Sequence, residues 1–348
     1  MKTFIGIQYF RGIAAALVVL YHSMIMSAVI GYLPVPIGNF GIDIFFVISG
    51  FIMWTTTEQR GVTTGEFWLA RIFRIIPIYW LFTGLIVCLM FLVPSAFIHQ
   101  RKFDIGYTVE SLLLIPSRNP DVGDISPLYT VGWTLMYEMF FYFIFGLALI
   151  VRNRFWRLST LIVTFIGLVL YGLTLQNKSP FTHTYTNPLL LEFLAGILIG
   201  VGVKKLERIS IKYGLSLLGV SIVLFAWGWL NESIVQRVVA FGPAATVMIA
   251  AVVILEKVFA KKVNKFALLI GNASYSIYLA HPLAQRAWYV LMVYMMGVIS
   301  TKSEAIIYSV GAIFAGIIGG LVCYISVERP LVNRKKKFRF LVGGKRTA

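Results

Sequence analysis

Hydrophobic residues in this chain occur in long runs that are separated by short polar connections. Each run is close to the ~20 residues that a helix needs to cross the ~30 Å hydrocarbon core of a bilayer. The runs lie near residues 7–30, 38–57, 75–94, 129–151, 157–175, 187–203, 213–230, 238–256, 270–297 and 305–327. This pattern predicts an all-α, polytopic integral membrane protein with about ten transmembrane helices.

The composition excludes a soluble enzyme. Hydrophobic residues make up 59% of the chain and charged residues only 13%, against roughly 25% charged residues in a typical soluble domain. The first apolar run is too long for the core of a secretory signal, and it carries Arg11 and His22. We therefore expect it to be retained as a transmembrane helix.

Positive charge is distributed unevenly among the connections. The net charge is +17, and Lys and Arg gather in every second connection and in the tail, residues 331–348. The positive-inside rule then predicts an even number of spans with both termini in the cytoplasm. We expect residues 1–330 to form one membrane-embedded domain, with the basic tail facing anionic membrane lipids. Charge arranged in this way argues against a nucleic-acid partner.

One connection, residues 95–128, is longer than the others. Long connections in compact proteins are usually functional or disordered. The topology places this one outside the cytoplasm, and its segment 108–116 could form a short interfacial helix. The two cysteines, Cys88 and Cys323, both lie in apolar runs, so neither a disulfide framework nor a cysteine metal site is expected.

Ionisable residues inside the spans are the candidates for function, because burying a charge in a bilayer is costly. Arg11 and His22 stand eleven residues apart on the first helix, which returns them to one face within ~20° and separates them by roughly 16 Å. Arg11 could instead be an anchor that reaches the membrane surface. His22 could instead make a polar contact between helices.

Asp43 begins the second helix, in GIDIFFVISGF. A hairpin of the first two helices would bring it to the depth of His22, where it could fix the tautomer of the imidazole and create a general base. It could instead satisfy free N–H groups at the start of its helix. Arg71 and Arg74 share a face at the mouth of the third span, where two guanidiniums suit a phosphate-rich ligand. Positive-inside anchoring is the alternative for both.

Two more buried ionisable groups lie in later spans. Glu138, in WTLMYEMFFYF, either pairs with an arginine or titrates near neutrality. His281, in SYSIYLAHPL, precedes Pro282, which we expect to break the helix and free backbone groups near the site. The sequence Glu328-Arg329-Pro330 closes the last helix and could form an internal ion pair.

The motifs that are missing narrow the chemistry. The sequence contains no GxSxG elbow, no HExxH zinc motif, no Walker loop and no GxGxxG after a strand. Acid–base catalysis on an activated donor is therefore expected, with the substrate hydroxyl as nucleophile and no metal. A transporter or flippase of lipid-linked saccharides is the alternative function, and a partner-binding subunit of a polysaccharide export assembly is a third class.

The order of these motifs resembles the acyltransferase 3 family of membrane O-acyltransferases. The residues that carry the resemblance cover nearly the whole chain: QYFRGIAAALVVLYH (8–22), GIDIFFVISGF (41–51), RIFRIIPIYW (71–80), WTLMYEMFFY (133–142), SYSIYLAHP (274–282) and ERP (328–330). The opening stretches are most similar to members that acetylate bacterial exopolysaccharides. Such members are multi-pass proteins of the bacterial cytoplasmic (inner) membrane.

The resemblance implies an acyl-CoA donor, usually acetyl-CoA, which enters from the cytoplasm, and a glycan hydroxyl as acceptor. His22 would be the catalytic base or an acyl relay, and Arg11, Arg71 and Arg74 would hold the donor. Asp43 and Glu138 are expected to serve catalysis, and His281 is a further candidate. The acceptor would be a lipid-linked or exported polysaccharide unit, supplied by polysaccharide biosynthesis machinery.

Overall fold

The computed structural model describes residues 3–25, 38, 40–92, 103–231, 236–297 and 301–333. Within these ranges the protein is all-α, apart from one isolated β-bridge between Arg118 and Ile125. The helices, in chain order from α1 to α14, are Ile5–Ile25, Phe40–Arg60, Thr64–Leu92, Ile105–Leu112, Trp133–Ala148, Arg154–Thr174, Pro180–Tyr185, Leu190–Leu206, Ile211–Asn231, Arg237–Ile254, Glu256–Lys261, Lys265–Asn272, Ser274–Met296 and Lys302–Cys323. A short 3₁₀ turn, Thr130–Gly132, leads into α5.

Eight of the described helices are long and apolar enough to cross a membrane. They are α1, α2, α3, α5 with its preceding turn, α6, α9, α10 and α14 with its continuation. The all-α polytopic class is therefore confirmed. The other two predicted spans fall on α8, which has 17 residues, and on α13. The total of ten spans and the cytoplasmic termini stay predictions, as do the domain limits, and residues 334–348 of the basic tail lie outside the described residues.

Helix α2 lies at the centre of the bundle and packs against α1, α5, α8 and α10. Its contact with α8 is close enough to need glycine on both helices. A Cβ on Gly50 would lie 1.9 Å from the carbonyl oxygen of Phe193, and a Cβ on Gly196 would lie 1.9 Å from that of Val47. Small residues at such crossings let two backbones touch, which is how membrane helices gain packing energy.

The third helix begins earlier than the sequence indicates. We predicted a span from residue 75, but α3 begins at Thr64 because Thr63 and Glu66 cap it: the Thr63 N–H donates to the Glu66 carboxylate at 3.1 Å, and the Glu66 N–H donates to the Thr63 hydroxyl at 3.4 Å. Arg71 and Arg74 therefore lie inside this 29-residue helix. Polar side chains in the first turns concealed this start from the hydrophobic pattern.

The long connection contains a short helix, as the sequence suggests, although at Ile105–Leu112 rather than 108–116. Asp104 sets its start, because its carboxylate accepts from the Tyr107 N–H at 2.9 Å. Tyr79 of α3 donates from its hydroxyl to the Ser111 carbonyl at 2.7 Å, which ties the connection to the bundle. Residues 95–102 of the connection lie outside the described residues.

The ninth predicted segment is two helices, and the break is not at the proline. Helix α12 ends at Asn272 and α13 begins at Ser274. Pro282 lies within α13, which continues through it. The prediction that Pro282 breaks the helix is therefore wrong. A proline removes one backbone hydrogen bond without ending a helix when neighbouring groups satisfy the freed carbonyl.

The start of α1 is held by a carboxylate from a distant part of the chain. Glu256, which begins α11, is buried and accepts from the backbone N–H groups of Ile5 at 2.6 Å and Gly6 at 2.9 Å. The first N–H groups of a helix have no partner within the helix and favour negative charge. Glu256 therefore fixes the depth of the helix that carries Arg11 and His22.

Candidate active site: an arginine-lined cavity and a histidine pair

Two histidines from distant parts of the sequence meet where α1 and α13 pack together. The Nε2 atom of His281 lies 3.2 Å from the Nδ1 atom of His22, and the ring centroids are 4.8 Å apart. Nδ1 of His22 also lies 3.0 Å from the Val18 carbonyl oxygen. Nδ1 of His281 lies 2.7 Å from the carbonyl oxygen of Tyr278 and 3.2 Å from that of Ile277. His281 is fully buried, whereas His22 is half-buried.

Asp43 is not the partner of His22, contrary to the prediction. Its carboxylate is fully buried and pairs with Arg237 of α10, with 2.8 Å between Oδ2 and Nη2 and 3.3 Å between Oδ1 and Nε. The guanidinium of Arg237 lies 5.9 Å from the ring centroid of Trp133. The carboxylate of Asp43 is therefore already engaged by a cation on another helix.

The rotation and depth of α2 explain why Asp43 misses His22. A Cβ on Gly41 would lie 2.4 Å from the carbonyl oxygen of Ala14, so Gly41 faces α1. Two residues turn a helix by about 200°, which points Asp43 away from α1. Gly38, not Asp43, lies beside Leu17 and Tyr21 and hence near the depth of His22.

A cavity of about 540 Å³ opens at the end of the bundle where α1 and α3 begin. We call it the entry cavity and this end the basic end, which the sequence predicts to be cytoplasmic. Arg11, Arg71 and Arg74 line the entry cavity, together with Glu66 and Glu328. Arg11 is buried, with only 9% of its surface exposed. A membrane-surface anchor would be exposed, so the structure favours the ligand-binding interpretation of Arg11 over the anchor.

A smaller cavity of about 80 Å³ continues inward from the entry cavity. We call it the inner cavity; it shares Arg11, Arg71, Arg74 and Ile52 with the entry cavity. The three guanidiniums therefore stand where the two cavities meet. A ligand that extends from one cavity into the other must pass beside all three.

Polar groups line the inner cavity, some with hydrogen-bond partners and some with none among the described residues. The Glu138 carboxylate accepts from the Ser49 hydroxyl at 3.2 Å and from the Tyr142 hydroxyl, and it lines the cavity beside the three arginines. The Arg71 Nε and the Ser274 hydroxyl are buried in the same lining, and no described residue hydrogen-bonds to either. Buried polar atoms without partners are costly, so these two atoms indicate a polar ligand or water in the cavity.

Tyr278 and Phe45 separate the inner cavity from the histidine pair. Both line the cavity, and their ring centroids lie 6.2 Å apart. The Tyr278 ring is 6.0 Å from the His281 ring. Its hydroxyl lies 2.7 Å from the Thr134 hydroxyl and donates to the Val131 carbonyl at 2.6 Å, so the start of α5 holds Tyr278 in place.

Glu328 ends a π-helical turn, Tyr324–Glu328, which follows α14. It accepts from the Ser276 hydroxyl at 2.5 Å rather than forming the expected internal pair with Arg329. Single π-turns often occur at functional sites. Here the turn directs a carboxylate into the lining of the entry cavity.

The structure thus brings most of the predicted residues into two neighbouring groups. Arg11, Arg71, Arg74 and Glu138 line the cavities, and His22 and His281 meet just beyond them, whereas Asp43 belongs to a separate cluster. The sequence reasoning did not identify Glu192, which is 2% exposed and lies beside Asp43 and Arg237 in that cluster. The rule that singled out Glu138, an acid within an apolar run, would have found it.

Helices long enough to span a membrane, and an internal polar cavity that opens at one end, define a multi-pass membrane protein with a buried polar cavity. Comparison with known proteins gives the family: the model of the acyltransferase domain matches residues 4–325. The chain therefore belongs to the acyltransferase 3 family and is a membrane acyltransferase.

Two relatives carry names that bear on activity. The chain is 35% identical over 311 residues to the exopolysaccharide production protein ExoZ of Rhizobium meliloti (strain 1021). The aligned region covers 88% of this chain and 93% of that protein. It is 30% identical over 115 residues to the acyltransferase MdmB of Streptomyces mycarofaciens. That aligned region covers 32% of this chain and 28% of the relative. No solved structure matches the chain.

Proposed function

We propose that this protein transfers an acetyl group from acetyl-CoA to a hydroxyl of a polysaccharide unit. The thioester C–S bond breaks and an ester C–O bond forms. The hydroxyl proton ends on the CoA sulfur, so one acetyl ester and one free thiol are produced. No covalent enzyme intermediate is needed, because the acceptor oxygen attacks the thioester directly.

The donor enters from the basic end. The phosphate groups of CoA would occupy the entry cavity beside Arg11, Arg71 and Arg74, because guanidiniums bind phosphate oxygens in a bidentate manner. The thin pantetheine arm would follow the inner cavity, where the unpartnered Ser274 hydroxyl and Arg71 Nε offer hydrogen bonds. The roughly 16 Å between Arg11 and His22 along α1 is a distance that this arm can bridge.

His22 is the general base in this proposal. Its imidazole takes the proton from the acceptor hydroxyl as the oxygen attacks, and then delivers that proton to the departing sulfur. Such proton transfer by a positioned side chain typically contributes about 10²–10⁴-fold to the rate. Glu138, held by Ser49 and Tyr142, balances the positive charge of the three arginines around the thioester arm.

The acceptor is proposed from the relatives rather than from the site. The relative that covers most of this chain is an exopolysaccharide production protein. A lipid-linked or exported polysaccharide unit would therefore be acetylated at the bacterial cytoplasmic membrane, beside the machinery that builds it. The hydroxyl would approach His22 from the end of the bundle opposite to the basic end.

One observation carries the proposal: three guanidiniums, one buried and two half-buried, stand where the two cavities meet, and the inner cavity ends at Tyr278, which separates it from His281 and His22. A phosphate-rich donor with a long arm fits that order of groups.

The first experiment measures acetyl-CoA binding by calorimetry in detergent, followed by transfer of radiolabelled acetyl to purified polysaccharide. We expect Arg71→Ala/Arg74→Ala to weaken binding by at least about tenfold, because each lost charge-assisted hydrogen bond removes roughly 1.5–3 kcal/mol. Lys204→Ala/Lys205→Ala is the matched control, since it removes two exposed charges at the same end of the bundle. Its binding should equal that of the wild type.

His22→Ala tests the chemical step. This variant should bind acetyl-CoA normally and transfer no acetyl group. Full acetyl transfer by His22→Ala would refute the role of His22 as general base. If the wild type did not bind acetyl-CoA and labelled glycan lipid moved across proteoliposome membranes without a donor, the protein would be a transporter and not an enzyme.

A further inference from the structure

We propose that His281 is a positioning residue which fixes the proton of His22 on Nδ1 and leaves Nε2 as the base, and that Pro282 makes this possible. The inference rests on the proposed function, because it assigns a task to His281 within that reaction. It arises from the hydrogen-bond partners of the two rings and from the position of one proline.

The tautomer of His281 follows from its neighbours. Its Nδ1 atom faces two carbonyl oxygens, those of Tyr278 at 2.7 Å and Ile277 at 3.2 Å. A carbonyl oxygen only accepts hydrogen bonds, so Nδ1 must carry the hydrogen. The Nε2 atom of the neutral ring is then an acceptor, and it is this atom that faces His22.

Pro282 supplies the carbonyl that holds His281. In a helix the carbonyl of Tyr278 would accept from the N–H of residue 282, but proline has no N–H. The carbonyl therefore stays available within a continuous helix, and the adjacent His281 side chain uses it at 2.7 Å. The Tyr278 carbonyl therefore accepts a hydrogen bond from the His281 side chain and not from a backbone N–H.

The tautomer of His22 follows in turn. Its Nδ1 atom lies 3.0 Å from the Val18 carbonyl oxygen and 3.2 Å from Nε2 of His281. Both neighbours are acceptors, so Nδ1 of His22 donates to them and carries the hydrogen. The lone pair of His22 is then on Nε2, to which no described residue is hydrogen-bonded.

This arrangement prepares the ring for proton transfer. When Nε2 accepts the proton of the acceptor hydroxyl, the positive charge spreads over a ring whose Nδ1–H already points at two acceptors. The opposite tautomer would place the Nδ1 lone pair against the lone pairs of Val18 and His281, which is repulsive. His281 thus does for His22 what Asp43 was expected to do, without bringing a charge into the bundle.

Nitrogen NMR tests the tautomers directly. The chain has 4 histidines, so His99→Gln/His183→Gln leaves only this pair for ¹⁵N-histidine labelling of the full-length protein in detergent. We expect both rings to carry the hydrogen on Nδ1 near neutral pH. A hydrogen on Nε2 of His281 would overturn the inference, whatever the activity of the protein.

The variant Pro282→Ala distinguishes a positioning role of His281 from a purely structural role. The new backbone N–H would compete for the Tyr278 carbonyl, so we expect part of His281 to move its hydrogen to Nε2 and kcat to fall about 10-fold. Alanine is a better helix former than proline, so a loss of helix stability is not expected to explain the fall. Pro243→Ala, at an exposed proline inside α10, is the control and should leave kcat unchanged.

We expect substitution of His281 to lower kcat and to leave KM for acetyl-CoA nearly unchanged. His281→Phe keeps a planar ring but has no acceptor, and it should lower kcat by about 10- to 100-fold while KM for acetyl-CoA stays within about twofold. His281→Gln offers an amide oxygen to His22 and should recover part of the loss. Equal kcat in the wild type, His281→Phe and Pro282→Ala would overturn the inference. The expected tautomers in a protein that transfers no acetyl group would instead overturn the proposed function.

Discussion

Gly316 of α14 leaves the space that His281 of α13 occupies: a Cβ on Gly316 would lie 3.2 Å from the Cβ of His281. The same Cβ would lie 2.8 Å from Cγ1 of Val19 on α1, so Gly316 stands where three helices meet. Gly316 therefore lets α14 pack closely beside both α1 and α13, the two helices that carry the histidines.

Gly316→Ala should lower the rate of acyl transfer with a modest loss of stability. The added methyl group must displace Val19 or His281, and overpacking of this kind typically costs about 1–3 kcal/mol. Because His281 contacts His22, we expect kcat to fall more than binding of acetyl-CoA. Steady-state kinetics and thermal unfolding in detergent measure the two effects. Gly219→Ala, where a Cβ would meet nothing within 4 Å, should change neither kinetic constant.

The pair of Asp43 and Arg237 should support folding rather than chemistry. The Asp43 side chain is fully buried, while that of Arg237 is 24% exposed. Arg237→Gln therefore leaves the more deeply buried charge unpaired and should cost more than Asp43→Asn, up to about 3–5 kcal/mol. Asp43→Asn/Arg237→Gln should recover most of the loss, as measured by thermal unfolding. A fall in kcat of folded Asp43→Asn with no loss of stability would contradict this assignment.

Glu256→Gln should destabilise the protein without changing turnover by the folded fraction. The amide can present one oxygen to the N–H groups of Ile5 and Gly6 but loses the negative charge that favours a helix N-terminus. A loss of about 1–2 kcal/mol is expected, in the range of other helix caps. Lys257→Gln, at the exposed neighbour on α11, is the control for thermal unfolding. Unchanged stability of Glu256→Gln would show that the cap contributes little.

Binding of acetyl-CoA should weaken as ionic strength rises. Under the proposed function, the phosphate charges of the donor would meet three guanidiniums in a cavity that opens to solvent, so salt would screen their attraction. We expect the Kd to rise roughly tenfold between about 50 and 500 mM NaCl. In Arg71→Ala/Arg74→Ala the dependence should be much flatter. An identical slope in both proteins would place the phosphates elsewhere.

Much of the fold was predictable because membrane helices are specified locally. The lengths of the apolar runs fixed the all-α polytopic class, and the start of α1 and both ends of α9 fell close to the predicted positions. The start of α3 was not predictable from hydrophobicity, because its capped first turns are polar. The break at Ala273 was also missed, since the apolar pattern continues across it and α13 tolerates Pro282.

The candidate site was only half predictable. Arg11, His22, Arg71, Arg74, Glu138 and His281 stood out because a bilayer penalises ionisable groups wherever they occur in a span. Their partners did not stand out. His22 and His281 are 259 positions apart, and so are joined only by helix packing. Asp43 and Arg237 are 194 positions apart, and the pattern gave no sign that they pair.

The sequence by itself determined that this chain is a helical membrane protein, and which costly side chains it buries, because the penalty for each residue depends on its own span. Tertiary structure alone decided which of these side chains meet. The rotation of each helix about its axis is set by close contacts such as Gly50 with Phe193 and Gly41 with Ala14. A turn of about 200° between Gly41 and Asp43 carries the acid from the expected histidine to Arg237. His22 instead meets His281 of α13, whose ring lies against a carbonyl that a proline leaves free.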